Sequence, residues 1–62
     1  MFNVGDIVFF KNNEAHHGIV VAEHFDYYDM QRTYGVLWFD KTKNPIDIPC
    51  FYYADCEIVK AA

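Results

Sequence analysis

The sequence predicts an all-β protein, a small and partly open barrel of five short strands. Three observations carry that expectation. Apolar, β-branched and aromatic residues come in short runs parted by polar or glycine-containing breaks. No run shows the sustained i, i+3, i+4 spacing of an amphipathic helix. A chain of 62 residues has room for one core only, so the runs must share it as a single domain over residues 1–62.

The first run, Ile7-Val8-Phe9-Phe10, follows Val4-Gly5-Asp6, where Gly and Asp suit a tight turn, and ends at the polar Lys11-Asn12-Asn13-Glu14. The second, over residues 17–23, opens at Gly18 and carries Ile19, Val20 and Val21, which favour a pleated surface. Residues 24–33 are long for a hairpin loop, so their ends should extend the neighbouring strands and their middle should turn near Asp29. The third run, Tyr34-Gly35-Val36-Leu37-Trp38-Phe39, stops at a polar loop closed by Pro45. Ile46-Asp47-Ile48 alternates with period two and is cut by Pro49, which limits it to a short or edge strand. Phe51-Tyr52-Tyr53-Ala54-Asp55 reads as a single helical or 3-10 turn, and Cys56-Glu57-Ile58-Val59-Lys60 as the last strand.

Burial and ordering cost nearly cancel at this size, so the aromatic residues must carry much of the stability: six Phe, five Tyr and one Trp. Two cysteines, Cys50 and Cys56, are too few for a disulfide framework, and no charged-then-apolar leader opens the chain. The expectation is a cytoplasmic protein with both thiols reduced. The longest aliphatic run, at residues 19–22, is far short of a membrane span. A net charge of −4 with only five Lys and Arg opposes tight, sequence-independent binding to a phosphate backbone.

Gly5-Asp6-Ile7-Val8, Gly18-Ile19-Val20-Val21, Val36-Leu37-Trp38-Phe39-Asp40 and Asp55-Cys56-Glu57-Ile58-Val59 together resemble the SH3-like small barrels of the broad KOW and Tudor-like group. In length and motif order the chain is also similar to short proteins of tailed bacteriophages, including those of cyanobacteria. The resemblance covers nearly the whole chain and implies an SH3-like barrel with a short 3-10 turn before the last strand. Its motifs mark turns and barrel-lining positions and are silent on activity. The acidic charge and the aromatic stretch at residues 24–33 depart from typical KOW modules.

Consecutive aromatic residues at Phe9-Phe10, Tyr27-Tyr28, Trp38-Phe39 and Phe51-Tyr52-Tyr53 exceed what a small barrel encloses. Neighbours on a strand point to opposite faces, so one of each strand pair should face outward. The expected binding set is Tyr27, Tyr28, Tyr34, Trp38, Tyr52 and Tyr53, with Tyr27, Tyr28, Tyr52 and Tyr53 the exposed members; the competing reading is a second, loop-covered core. An aromatic cage for a methylated cation would draw on Trp38, Tyr34 and Tyr52, although nothing in the spacing brings those faces together.

His16, His17, His24, Cys50 and Cys56 match no standard metal spacing, so no metal or cofactor is expected. No nucleophile and base or paired acids stand at a telling spacing, so no enzyme is expected either. Gathering of Asp26, Asp29, Asp40 and Asp47 on one side would make an acidic nucleic-acid mimic, and adjoining Lys11, Lys41 and Lys43 would make a small basic patch. The favoured function is an interaction module that binds a host or phage protein, with self-association and strand addition at Ile46-Asp47-Ile48 as further means. The alternative is a weak nucleic-acid or ribonucleoprotein-associated module that compensates for few phosphate contacts by stacking bases on Tyr or Phe.

Overall fold

The computed structural model describes residues 1–61, so Ala62 of the expected domain lies outside the described residues. The chain runs β1 (Ile7–Phe10), β2 (Asn13–Asp26), β3 (Gln31–Trp38), a 3-10 turn (Lys41–Lys43), β4 (Phe51–Ala54) and β5 (Ile58–Lys60). These strands form one antiparallel sheet in the order β4-β3-β2-β1-β5, whose two ends are not joined. The all-β, five-strand expectation holds at that level.

Local chemistry explains the elements. Gly5, at φ +100°, turns the chain into β1. Its N–H donates to the Val20 carbonyl at 2.8 Å, and the Val20 N–H donates to the Asp6 carbonyl at 2.9 Å, which fastens the turn to β2. The β2–β3 hairpin pairs from Gly18 with Trp38 to Asp26 with Gln31, and its register shifts between Val20 and Ala22, where Val21 is the extra residue of a bulge. The turn falls at residues 27–30, and its flanks extend both strands as expected.

Several elements differ from expectation, beginning with β2, which starts at Asn13 within the stretch expected as a polar turn. Phe51-Tyr52-Tyr53-Ala54 is strand β4 and not a helical turn, because period-two alternation lets Tyr53 pack on the core while Tyr52 faces the other way. The tight turn before β5 is a reverse turn in which the Glu57 N–H donates to the Ala54 carbonyl at 3.0 Å. Glu57 also accepts the Ala54 N–H on its carboxylate at 2.8 Å. The 3-10 turn lies instead at Lys41–Lys43, where the Asp40 carboxylate accepts from the Thr42 amide at 3.1 Å and its hydroxyl at 2.8 Å. Ile46-Asp47-Ile48 belongs to no strand, since Pro45 and Pro49 on either side remove the donors a ladder needs.

Phe2, Val8, Val20, Tyr34, Val36, Trp38 and Ile58 form the buried core, with Phe10 and Tyr53 packed against it. Phe10 stacks on Trp38 at 4.9 Å, and Tyr53 meets both rings edge-on at 5.2 and 5.6 Å. The Trp38 indole N–H donates to the Tyr53 hydroxyl at 3.1 Å, so the one polar atom of the ring is satisfied on burial. Gly18 is required beneath it: a Cβ there would lie 2.8 Å from the indole and from the Leu37 carbonyl.

Candidate functional site

The two most exposed aromatic residues stand at the tip of the β2–β3 hairpin. Tyr27 is 82% exposed, Tyr28 95% and Met30 71%. Their backbone is nonetheless held: the Asp26 carboxylate accepts from the Tyr28 N–H at 2.9 Å and the Asp29 N–H at 3.4 Å, an Asx turn. Met30 closes the turn in left-handed backbone at φ 54°, a conformation that costs a side-chain-bearing residue about 1–2 kcal/mol. Tyr27 leans edge-on against Phe25 at 4.9 Å. The Arg32 guanidinium lies over the Phe25 ring, 5.7 Å from its centroid, and donates from Nη1 to Met1 Sδ at 3.3 Å. Its Nε is buried without a hydrogen-bond partner, for Glu23 Oε1 stands 3.7 Å away and makes only a loose ion pair.

The expected binding set therefore divides. Tyr27 and Tyr28 are at the tip, and Tyr52 is half-exposed on the outer face of β4, its ring over Gly35 and 6.2 Å from His24. Tyr34 and Trp38 are corrected: both are buried in the core, Tyr34 under Phe2 and Trp38 between Phe10 and Tyr53. Tyr53 is corrected as well, from exposed to part-buried against Trp38. An aromatic cage from Trp38, Tyr34 and Tyr52 is excluded, since Tyr52 lies on the opposite side of the sheet from the other two.

Two open grooves flank these elements. One, of about 320 Å³, is lined by Pro45, Ile46, Asp47, Ile48 and Phe51. The other, of about 270 Å³, runs behind the hairpin tip past Met30, Gln31, Arg32, Ala54, Asp55 and Cys56. Cys50 is buried and Cys56 exposed, both as free thiols. Among the described residues no three His, Cys, Asp or Glu side chains lie close enough together to hold a metal ion. No helix there is long and apolar enough to cross a membrane.

Asn44 is a residue the sequence reading missed. Its side-chain amide accepts the Trp38 N–H at 2.7 Å and donates to the Trp38 carbonyl at 2.9 Å, standing in for a neighbouring strand at the end of β3. The signal for it, an Asn between a polar run and a proline, is the same as for any loop Asn.

Comparison with family models, with curated proteins and with solved structures finds no significant match for the chain.

Proposed function

We propose that the chain is a non-enzymatic interaction module of the SH3-like barrel type, a phage-encoded accessory protein that binds a host or phage protein in the host cytoplasm. The observation that carries the reading is the hairpin tip, where two tyrosines and a methionine stand in solvent on a turn that Asp26 holds in shape. A side chain exposed on an ordered backbone loses little freedom on binding, and Tyr offers apolar area with a polar end. The strand order supports the barrel type: β1 lies between β2 and β5, and β2, β3 and β4 follow as a meander.

The test is capture from host lysate at ~150 mM salt, near physiological ionic strength, with and without nuclease, by the wild type and by a Tyr27→Ala/Tyr28→Ala variant. A protein retained by the wild type, resistant to nuclease and lost with the double variant is the expected result. Loss of all retained material on nuclease treatment would replace this reading with the nucleic-acid one.

A further inference from the structure

The sheet has a second apolar face. Val8, Val20, Val36 and Trp38 point into the core, so their chain neighbours point the other way. On that outer side Ile7, Ile19 and Leu37 stand in direct cross-strand register over β1, β2 and β3. The adjoining row repeats the arrangement with rings: Phe9 pairs with His17, their rings 5.5 Å apart, and the Phe39 N–H donates to the His17 carbonyl at 3.0 Å. None of the six side chains is charged, Leu37 is 41% exposed and Phe39 59%. Antiparallel sheets with one face in water alternate apolar and polar residues, whereas strands covered on both faces read as continuous apolar runs. Ile7-Val8-Phe9-Phe10, Gly18-Ile19-Val20-Val21 and Val36-Leu37-Trp38-Phe39 are runs of the second kind.

We propose that this outer face is covered by the same face of a second copy of the chain, in a two-fold sheet-on-sheet dimer whose axis runs along β2 between the two sheets. The two rows are symmetric about β2, one aliphatic and one aromatic. An axis along β2 sets Ile7 of one copy against Leu37 of the other and Phe9 against Phe39, while Ile19 and His17 meet their own copies. Like thus meets like in both rows, and the face fits itself. Charge does not bar this occupant. Two copies at net −4 repel wherever their charged surfaces meet, and this face places no charged side chain opposite another. The six side chains expose on the order of 400 Å², in the range of functional patches on monomers and about half of the ~800 Å² per copy of a standard interface, which fits a dimer that dissociates at low concentration. The surface is distinct from the hairpin tip and does not depend on the tip binding anything.

Sedimentation equilibrium over about 1–300 µM, a range that brackets micromolar affinity, tests the proposal on the wild type, Leu37→Glu, Ile7→Lys and the Ile7→Lys/Leu37→Glu double variant. The wild type is expected to be a dimer in the upper part of this range. Each single variant is expected to be a monomer with the wild-type circular dichroism, because the new charge replaces a side chain that points away from the core. The double variant is expected to regain the dimer, with each Lys facing a Glu across the axis. A wild type that stays monomeric throughout overturns the proposal and leaves the face to a partner of another sequence. A dimer that survives in both single variants and is lost in Tyr27→Ala/Tyr28→Ala overturns it too, by placing the contact at the tip. Should one single variant fail to fold, the other single variant still decides: a folded monomer supports the proposal and a dimer overturns it.

Discussion

Trp38 is held by contacts of three kinds: Phe10 stacked on one face, Tyr53 against it edge-on and as hydrogen-bond acceptor, and the Asn44 amide on both of its backbone groups. Removing the ring leaves a cavity that stacked neighbours cannot fill, and Trp38→Ala is expected to cost about 3–5 kcal/mol in denaturant unfolding. Asn44→Ala removes no apolar packing but leaves the Trp38 N–H and carbonyl without their partner, an expected loss of about 1–3 kcal/mol in the same measurement. The sequence marked the first residue, a lone Trp in an apolar strand, and could not mark the second, because the Asn44 role exists only once the loop returns to the end of β3. Asp40 behaves by pH. The Thr42 hydroxyl, then the Thr42 amide, then the nearby charges of Lys43 and His16 hold its carboxyl below the ordinary 3.8. A carboxyl lowered by folding stabilises the fold above its unfolded value and loses that effect as pH falls through the folded value. The Thr42 amide resonance should therefore move as the turn at Lys41–Lys43 loosens below pH 3.8, and Asp40→Asn should abolish the transition.

Among the elements, β3 and the part of β2 from residue 17 onward could be read from their runs, whereas the polar start of β2 at Asn13 could not; the turn between the two strands is marked by Asp26 and Asp29, which suit a turn where Tyr27 and Tyr28 would suit a strand. β4 could not be read. Phe51-Tyr52-Tyr53-Ala54 has no polar residue to mark its outer side, so period two is invisible until Tyr53 finds Trp38 and Tyr52 finds Gly35. The reverse error at Ile46-Asp47-Ile48 has a matching cause: the alternation is present, but prolines at both ends leave no ladder to join. The hairpin tip carries its own prediction. Met30→Asn relieves the left-handed backbone at φ 54°, because Asn tolerates that region. The gain should approach 1 kcal/mol, seen as a rise in Tm of about 4–8 °C for a domain this small. The same change removes an exposed apolar side chain from the tip, so partner capture should weaken while stability rises, a combination that damage to the fold does not produce.

At the scale of the molecule, charge and size pull the same way. With net −4 and five basic residues, binding through the tip should depend little on salt, and capture at ~50 and ~200 mM should retain similar amounts, where a phosphate-backbone contact would weaken steeply. A second copy on the outer face would add buried apolar area to a domain whose single core is thin, so Tm should rise with protein concentration. The bonds between Glu57 and Ala54 bear on how far such association runs. Together they use both outward-facing backbone groups of the last residue of β4, the N–H through the Glu57 carboxylate and the carbonyl through the Glu57 N–H. A strand arriving at that end of the sheet meets a position already filled, by a side chain that carries negative charge. Edges left open recruit further chains and grow without limit; this one is shut at its end by its own turn. Glu57 thus guards one end of the β4 edge against strand addition, and Glu57→Ala, which frees the Ala54 N–H and removes the charge, should raise the tendency of the chain to aggregate, read as light scattering at matched concentration.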